Sequence, residues 1–114
     1  MSIGFNWFKD YELKSVEYGV IVKYIGGGDS SHSAGNIIKV QNLLEEYGSI
    51  NIPVVNEYSL KEGDKLDLVD PKEVSKVCQL ILNDIKVDEV GMRERIKWFK
   101  ELSDEGYYLT YDCD

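Results

Sequence analysis

One histidine and two cysteines are all the imidazole and thiol ligands that this 114-residue chain offers. A structural zinc site needs four such groups, so zinc is not expected to organise the fold. Cys78 falls within a helical pattern and Cys113 is the penultimate residue. They form no disulfide framework, and both read as reduced thiols of a reducing compartment. Basic residues are also scarce, with 13 Lys and Arg against 21 Asp and Glu and a formal net charge of -8. Binding to a nucleic-acid duplex neutralises phosphates with basic side chains, so no nucleic-acid partner is expected. An anionic membrane surface would repel the chain for the same reason. Apolar runs such as Val20-Ile21-Val22 and Leu80-Ile81-Leu82 are far shorter than a membrane span. The first ten residues lack the basic head, apolar stretch and cleavage site of a secretory signal. The expectation is a cytoplasmic protein with neither membrane nor nucleic-acid partners.

What is present is a globular composition, 43% hydrophobic and 30% charged, which sets the chain apart from disordered sequences. Its length suits one domain over residues 1–114, large enough to bury roughly two-thirds of its unfolded surface without disulfides or metal. Ile3, Phe5 and Trp7 alternate as in a short strand with one buried face, and Phe8 and Tyr11 extend the aromatic cluster. A second strand is expected over about 16–25, where Val16, Tyr18, Val20, Val22 and Tyr24 alternate. Gly19 marks a bulge there. Gly26-Gly27-Gly28 ends it, and Asp29-Ser30-Ser31-His32-Ser33 reads as a flexible polar loop rich in helix caps.

A first helix follows over about 34–47, with Ile37, Val40, Leu44 and Tyr47 on one stripe and Gly48 as the left-handed terminator. Ile50, Ile52 and Val54 alternate in a strand that Pro53 either confines to an edge or ends early. Residues 58–60 and 66–68 fit a hairpin turned by Gly63, with an irregular excursion as the alternative. Asp70, Pro71 and Glu73 carry the cap, first-turn proline and capping-box acid of a second helix. Its apolar face runs from Val74 to Ile85. A third helix over about 88–104 uses Met92, Ile96, Phe99 and Leu102, has Trp98 at its margin, and stops at Gly106. Tyr107, Leu109, Tyr111 and Cys113 then alternate against Tyr108, Thr110, Asp112 and Asp114 in a last strand with one face on the core. The order is β-β-α-β-(β-β)-α-α-β. It predicts an α+β domain with a mostly antiparallel sheet and three helices packed on one face.

Residues 26–33 are the most suggestive ligand site, because a strand leads into a helix N-terminus where backbone donors favour an anion. Gly27, Gly28, Asp29, Ser30, Ser31 and His32 are the candidate residues. The stretch lacks the lysine of a phosphate-cradling loop and the spaced glycines of a dinucleotide fingerprint, and Asp29 opposes an anion. A Ser-His nucleophile there needs a third orienting group that the sequence does not single out. Asp64, Asp67 and Asp70 recur at intervals of three but do not make a calcium loop. Glu17, between Val16 and Tyr18, is the one carboxylate flanked by apolar residues. No metal or other cofactor is expected.

Eight tyrosines are many for this length. Tyr brings large contact area at modest entropic cost, so an exposed tyrosine beside acids suits protein recognition. Alternation on the last strand places Tyr108 outward beside Asp112 and Asp114. Asp104 and Glu105 add acid at the same end of the chain. The candidate partner-binding set is therefore Tyr108, Asp112, Asp114, Asp104 and Glu105. The general look is similar to small acidic proteins of bacteria and phages, without a motif that names a family. Two functions are expected in competition. One is a non-enzymatic module that binds a protein partner of basic character, as an immunity protein, antitoxin or phage inhibitor does. The other is a small-ligand or nucleotide module, enzymatic or not, built on residues 26–33.

Overall fold

The aromatic alternation at the start of the chain organises everything that follows. In the computed structural model, which describes residues 2–113, strand β1 (Ser2–Phe8) pairs antiparallel with β4 (Gly28–Ser33) on one side and with β6 (Tyr108–Cys113) on the other. A two-residue strand β5 (Val54–Val55) runs parallel to β6, giving the order β4-β1-β6-β5. The side chain of Cys113 and the whole of Asp114 lie outside the described residues.

Three helices, α1 (Ala34–Gly48), α2 (Pro71–Asn83) and α3 (Val90–Asp104), bury their apolar stripes on one face of this sheet. Phe5 stacks on Phe99 at 4.7 Å between ring centroids, and Trp98 meets Phe5 edge-on at 5.2 Å and Trp7 at 5.3 Å. Fully burying a ring such as Phe5 stabilises the fold by roughly 2–3 kcal/mol. Arg93 ties the α2–α3 connection by donating to the carbonyls of Leu82 and Val87, each at 2.7 Å. The expected class therefore holds: a single α+β domain with three helices on one face and the helices in the expected order among the strands.

Individual elements differ. The strand expected over 16–25 is the second half of a hairpin, β2 (Asp10–Val16) and β3 (Gly19–Ile25), turned at Glu17 and Tyr18. Gly19 takes φ +145, and Glu17 is exposed at the turn. This hairpin meets the face of the sheet opposite the helices, where fully buried Phe8 is ringed by Tyr11, Tyr24 and Tyr108. Residues 28–33 are edge strand β4 rather than a flexible loop. A Cβ at Gly27 would overlap the Trp7 carbonyl, and one at Gly28 would lie 2.7 Å from the Trp7 ring. The glycines there serve close packing.

The hairpin expected over 58–68 is a 3-10 turn (Glu57–Ser59) followed by a strandless segment anchored where Leu66 N donates to Tyr11 Oη at 3.0 Å. The strand around Pro53 is at an edge and is short, as expected, pairing over Val54 and Val55 among the described residues. Before it, the Gln41 side chain takes over, donating to Ile50 O at 2.8 Å and accepting from Ile52 N at 3.4 Å. Asp70 caps α2 by accepting from Lys72 N at 3.0 Å, with Pro71 first in the helix. That helix ends at Asn83, so Ile85 is 91% exposed instead of belonging to its apolar face. Gly48 is the last helical residue of α1. Ser49 holds the left-handed position at φ 54.

Candidate functional site

The residues singled out on sequence fall into separate places. Tyr108 is half-buried against Phe8, 6.1 Å between ring centroids, instead of standing in solvent. Asp112 is half-buried too, accepting from Asn6 Nδ2 through one oxygen and from Tyr24 Oη at 3.3 Å through the other. Both face the hairpin because β6 is an interior strand. Its second face is covered, and Thr110 is fully buried on it. Burial, aided by the charge and hydrogen bond of Asp112 and opposed by the hydrogen bond with Thr110, pushes the Tyr24 phenol up to about 12. Asp104 and Glu105 are exposed at the far end of α3. Asp104 accepts from Lys100 Nζ at 2.7 Å and from Ser75 Oγ, bonds that hold its carboxyl below the ordinary value. The Glu105 carbonyl accepts from Lys9. Asp114 lies outside the described residues.

On β4, Asp29 and Ser31 are exposed, while Gly28, Ser30 and His32 are half-buried on the helix side. Ser30 Oγ and His32 Nε2 are 2.9 Å apart, within nucleophile-to-base distance. Burial first, and Arg95 second, hold the imidazole below its ordinary value. Among the described residues the ring has no carboxylate partner. Its neighbours are Phe5 and Trp98, at 6.2 and 5.6 Å. Beyond the edge strand is a shallow groove lined by His32, Gly91, Glu94, Arg95 and Trp98. Ser33 is the α1 cap, accepting from Asn36 N at 3.3 Å, so one of the helix's free donors is already occupied. No group of three His, Cys, Asp or Glu among the described residues is placed to hold a metal ion. No helix among them is long and apolar enough to cross a membrane. Cys78 is completely buried, and that burial pushes its thiol up to about 12.

The exposed aromatic surface lies elsewhere, at residues the alternation did not select. Tyr18 at the hairpin turn is 87% exposed and Tyr58 in the 3-10 turn is 100% exposed. Together with Gly19, Val20, Ile21, Glu57 and Leu60 they line a cleft of about 270 Å³ between the outer edge of β3 and the 3-10 turn. Asn56 fixes that turn by accepting from Tyr58 N at 3.1 Å. Glu57 reaches across the cleft, its Oε2 accepting from Val22 N at 2.6 Å. Neither Glu57 nor exposed Glu17 makes an ion pair among the described residues, whereas on α3 Lys100 pairs with Asp104 at 2.7 Å. A turn signature at Glu17-Tyr18-Gly19 and a cap signature at Asn56 were the signals that would have located the cleft.

A second recess, of about 340 Å³, lies between α1 and β5 and is walled by Ile3, Ile37, Ile38, Ile52, Val54 and Tyr111 with three carboxamides at its rim. Among the described residues it is lined by no charged side chain. Comparison with protein-family models, curated proteins and solved structures found no match to this chain.

Proposed function

We propose that this chain is a non-enzymatic protein-binding module of the cytoplasm, of the kind represented by small acidic immunity proteins, antitoxins and phage inhibitors. Its partner is a basic protein. The observation that carries this reading is the cleft at the hairpin tip, lined by two tyrosines that stand almost wholly in solvent and by the Glu57 carboxylate. Large exposed aromatic side chains beside unpaired acid suit a partner that brings apolar area and positive charge together. A chain with net charge -8 also steers a basic partner towards encounter and repels acidic competitors. The competing reading, a nucleotide or other small ligand at residues 26–33, has less support. Gly27 and Gly28 are accounted for by packing on Trp7, and Asp29 faces any anion that would approach.

Affinity capture from the lysate of the producing cell tests this, with wild type and the Tyr18→Ala/Tyr58→Ala double variant immobilised side by side. A basic protein retained by wild type, lost from the double variant and eluted by raised salt is the expected result. Equal retention on both columns would remove the cleft from the interface. A nucleotide or divalent ion that raises the melting midpoint of the chain would transfer the function to residues 26–33.

A further inference from the structure

Among the described residues, strand β3 is laddered to another strand, β2, along one edge only. Along the other edge the Val22 N–H points to Glu57, and alternate residues of a strand direct their backbone groups the same way, so Val20 and Tyr24 share that direction. An open strand edge is a template for another strand unless something covers it. Here the cover is the 3-10 turn, which packs against β3 and is bonded to it through one side chain. Glu57 lies 35 residues further along the chain and places a carboxylate oxygen 2.6 Å from Val22 N, where the carbonyl of a neighbouring strand would otherwise sit.

Resting on the protein-binding reading above, we propose that the partner docks as an extended basic segment that adds a third strand to β3. In doing so it displaces the 3-10 turn from the β3 edge, and Glu57 with it from Val22. A backbone carbonyl of the partner then accepts from Val22 N–H, and the released Glu57 carboxylate pairs with a Lys or Arg of the incoming strand. The displaced contact is replaced in kind, so no backbone donor is left unsatisfied. Charge complementarity selects the occupant. Glu57 and Glu17 have no cationic partner among the described residues, and acid prevails over base in the chain as a whole. The rings of Tyr18 and Tyr58 flank the edge and offer faces to the aliphatic stems and charged heads of the partner's basic side chains. Glu57 thereby acts as a plug that protects the edge from indiscriminate pairing and as the counter-ion that admits a basic strand.

The test is a titration of the 15N-labelled full chain with a capped peptide of alternating Lys and Val, followed by amide shifts and hydrogen exchange. The expected result is saturable shifts at the Val20 and Val22 amides together with Tyr18 and Tyr58. Methylating alternate peptide nitrogens should weaken binding about ten-fold, the equivalent of one or two hydrogen bonds. Glu57→Gln should weaken it several-fold and flatten its salt dependence. A peptide that shifts Tyr18 and Tyr58, leaves Val20 and Val22 unmoved and tolerates methylation would overturn strand addition while sparing the protein-binding reading. Absence of any saturable shift with the unmethylated peptide would also overturn strand addition, and the capture experiment then judges the wider reading separately.

Discussion

Replacing Gly48 by alanine should destabilise the protein, although the same change in most helices does the opposite. Gly48 closes α1 where it crosses α2. A Cβ there would lie 3.0 Å from Cγ1 and 3.1 Å from Cβ of Val77, and closer still to Cγ2. Val77 cannot easily yield. It is 5% exposed among Leu44, Val74, Cys78 and Ile81, and a β-branched side chain in a helix has one strongly preferred rotamer. Overpacking of this kind costs ~1–3 kcal/mol, and this site belongs at the upper end. Against it stands the helix preference for alanine over glycine, ~1 kcal/mol in a helix interior and less at the last residue. The net expectation is a loss of about 2 kcal/mol, or ~8 °C in Tm for a chain of this size.

Val77→Ala removes the obstructing methyls and is itself destabilising through the cavity it leaves. In that background Gly48→Ala should become neutral or stabilising, so the double-mutant cycle should show a favourable coupling of ~2 kcal/mol. Urea unfolding followed by the fluorescence of Trp7 and Trp98, which pack against the core, reads all four proteins. A stabilising Gly48→Ala in the wild type, or an equal loss with and without Val77, would refute the packing argument.

Ser49→Gly should raise stability by about 1 kcal/mol, because φ 54 strains an L-residue while its backbone bonds to Leu44 and Glu45 are kept; a thermal melt checks it, and an unchanged midpoint would show that the strain is absent. Ser103 Oγ is buried without a hydrogen-bond partner among the described residues, so Ser103→Ala should leave chemical stability equal or raise it by ~1 kcal/mol; a clear loss in urea unfolding would contradict this. Alkali should weaken the fold through Cys78. The unfolded thiol ionises near 9.0 and the buried native thiol near 12, so the unfolded state loses its proton first. Stability from this group is therefore present below pH 9.0 and is lost progressively as pH rises towards about 12. Urea midpoints across that range should decline, and less steeply in Cys78→Ala.

Helices were legible in the sequence because their signals are redundant. Asp70 and Pro71 mark the start of α2, and Gly106, at φ +85, follows the end of α3. The β2–β3 hairpin was illegible for a specific reason. A two-residue turn shifts the parity of inward positions, so that Leu13 pairs with Val22 and Tyr11 with Tyr24. Val16 and Tyr18 nevertheless fall in phase with Val20, Val22 and Tyr24, and one long strand looks as good as two short ones. That coincidence also hid the cleft, since Tyr18 read as a strand residue instead of a turn. Tyr108 and Asp112 were misplaced because alternation shows which residues share a face but not whether a second layer covers it. The hairpin is that layer, and its docking depends on contacts between residues far apart in sequence, such as Tyr24 with Thr110 and Asp112, 86 and 88 positions away. Val54 and Val55 read as the end of a regular strand because Gln41, a helical side chain, replaces a ladder that period-two alternation assumes.

The most direct measurement is site-specific photocrosslinking in the producing cell, with a benzophenone side chain placed in turn at Tyr58 and at Tyr108. Tyr58 makes no burial contact to lose, being 100% exposed, so the folded protein accepts the probe. A discrete adduct with a basic protein from position 58, suppressed by Glu57→Gln and missing from position 108, is the expected outcome. An adduct from position 108 with none from position 58 would contradict the assignment of the cleft and return the partner to the β6 surface.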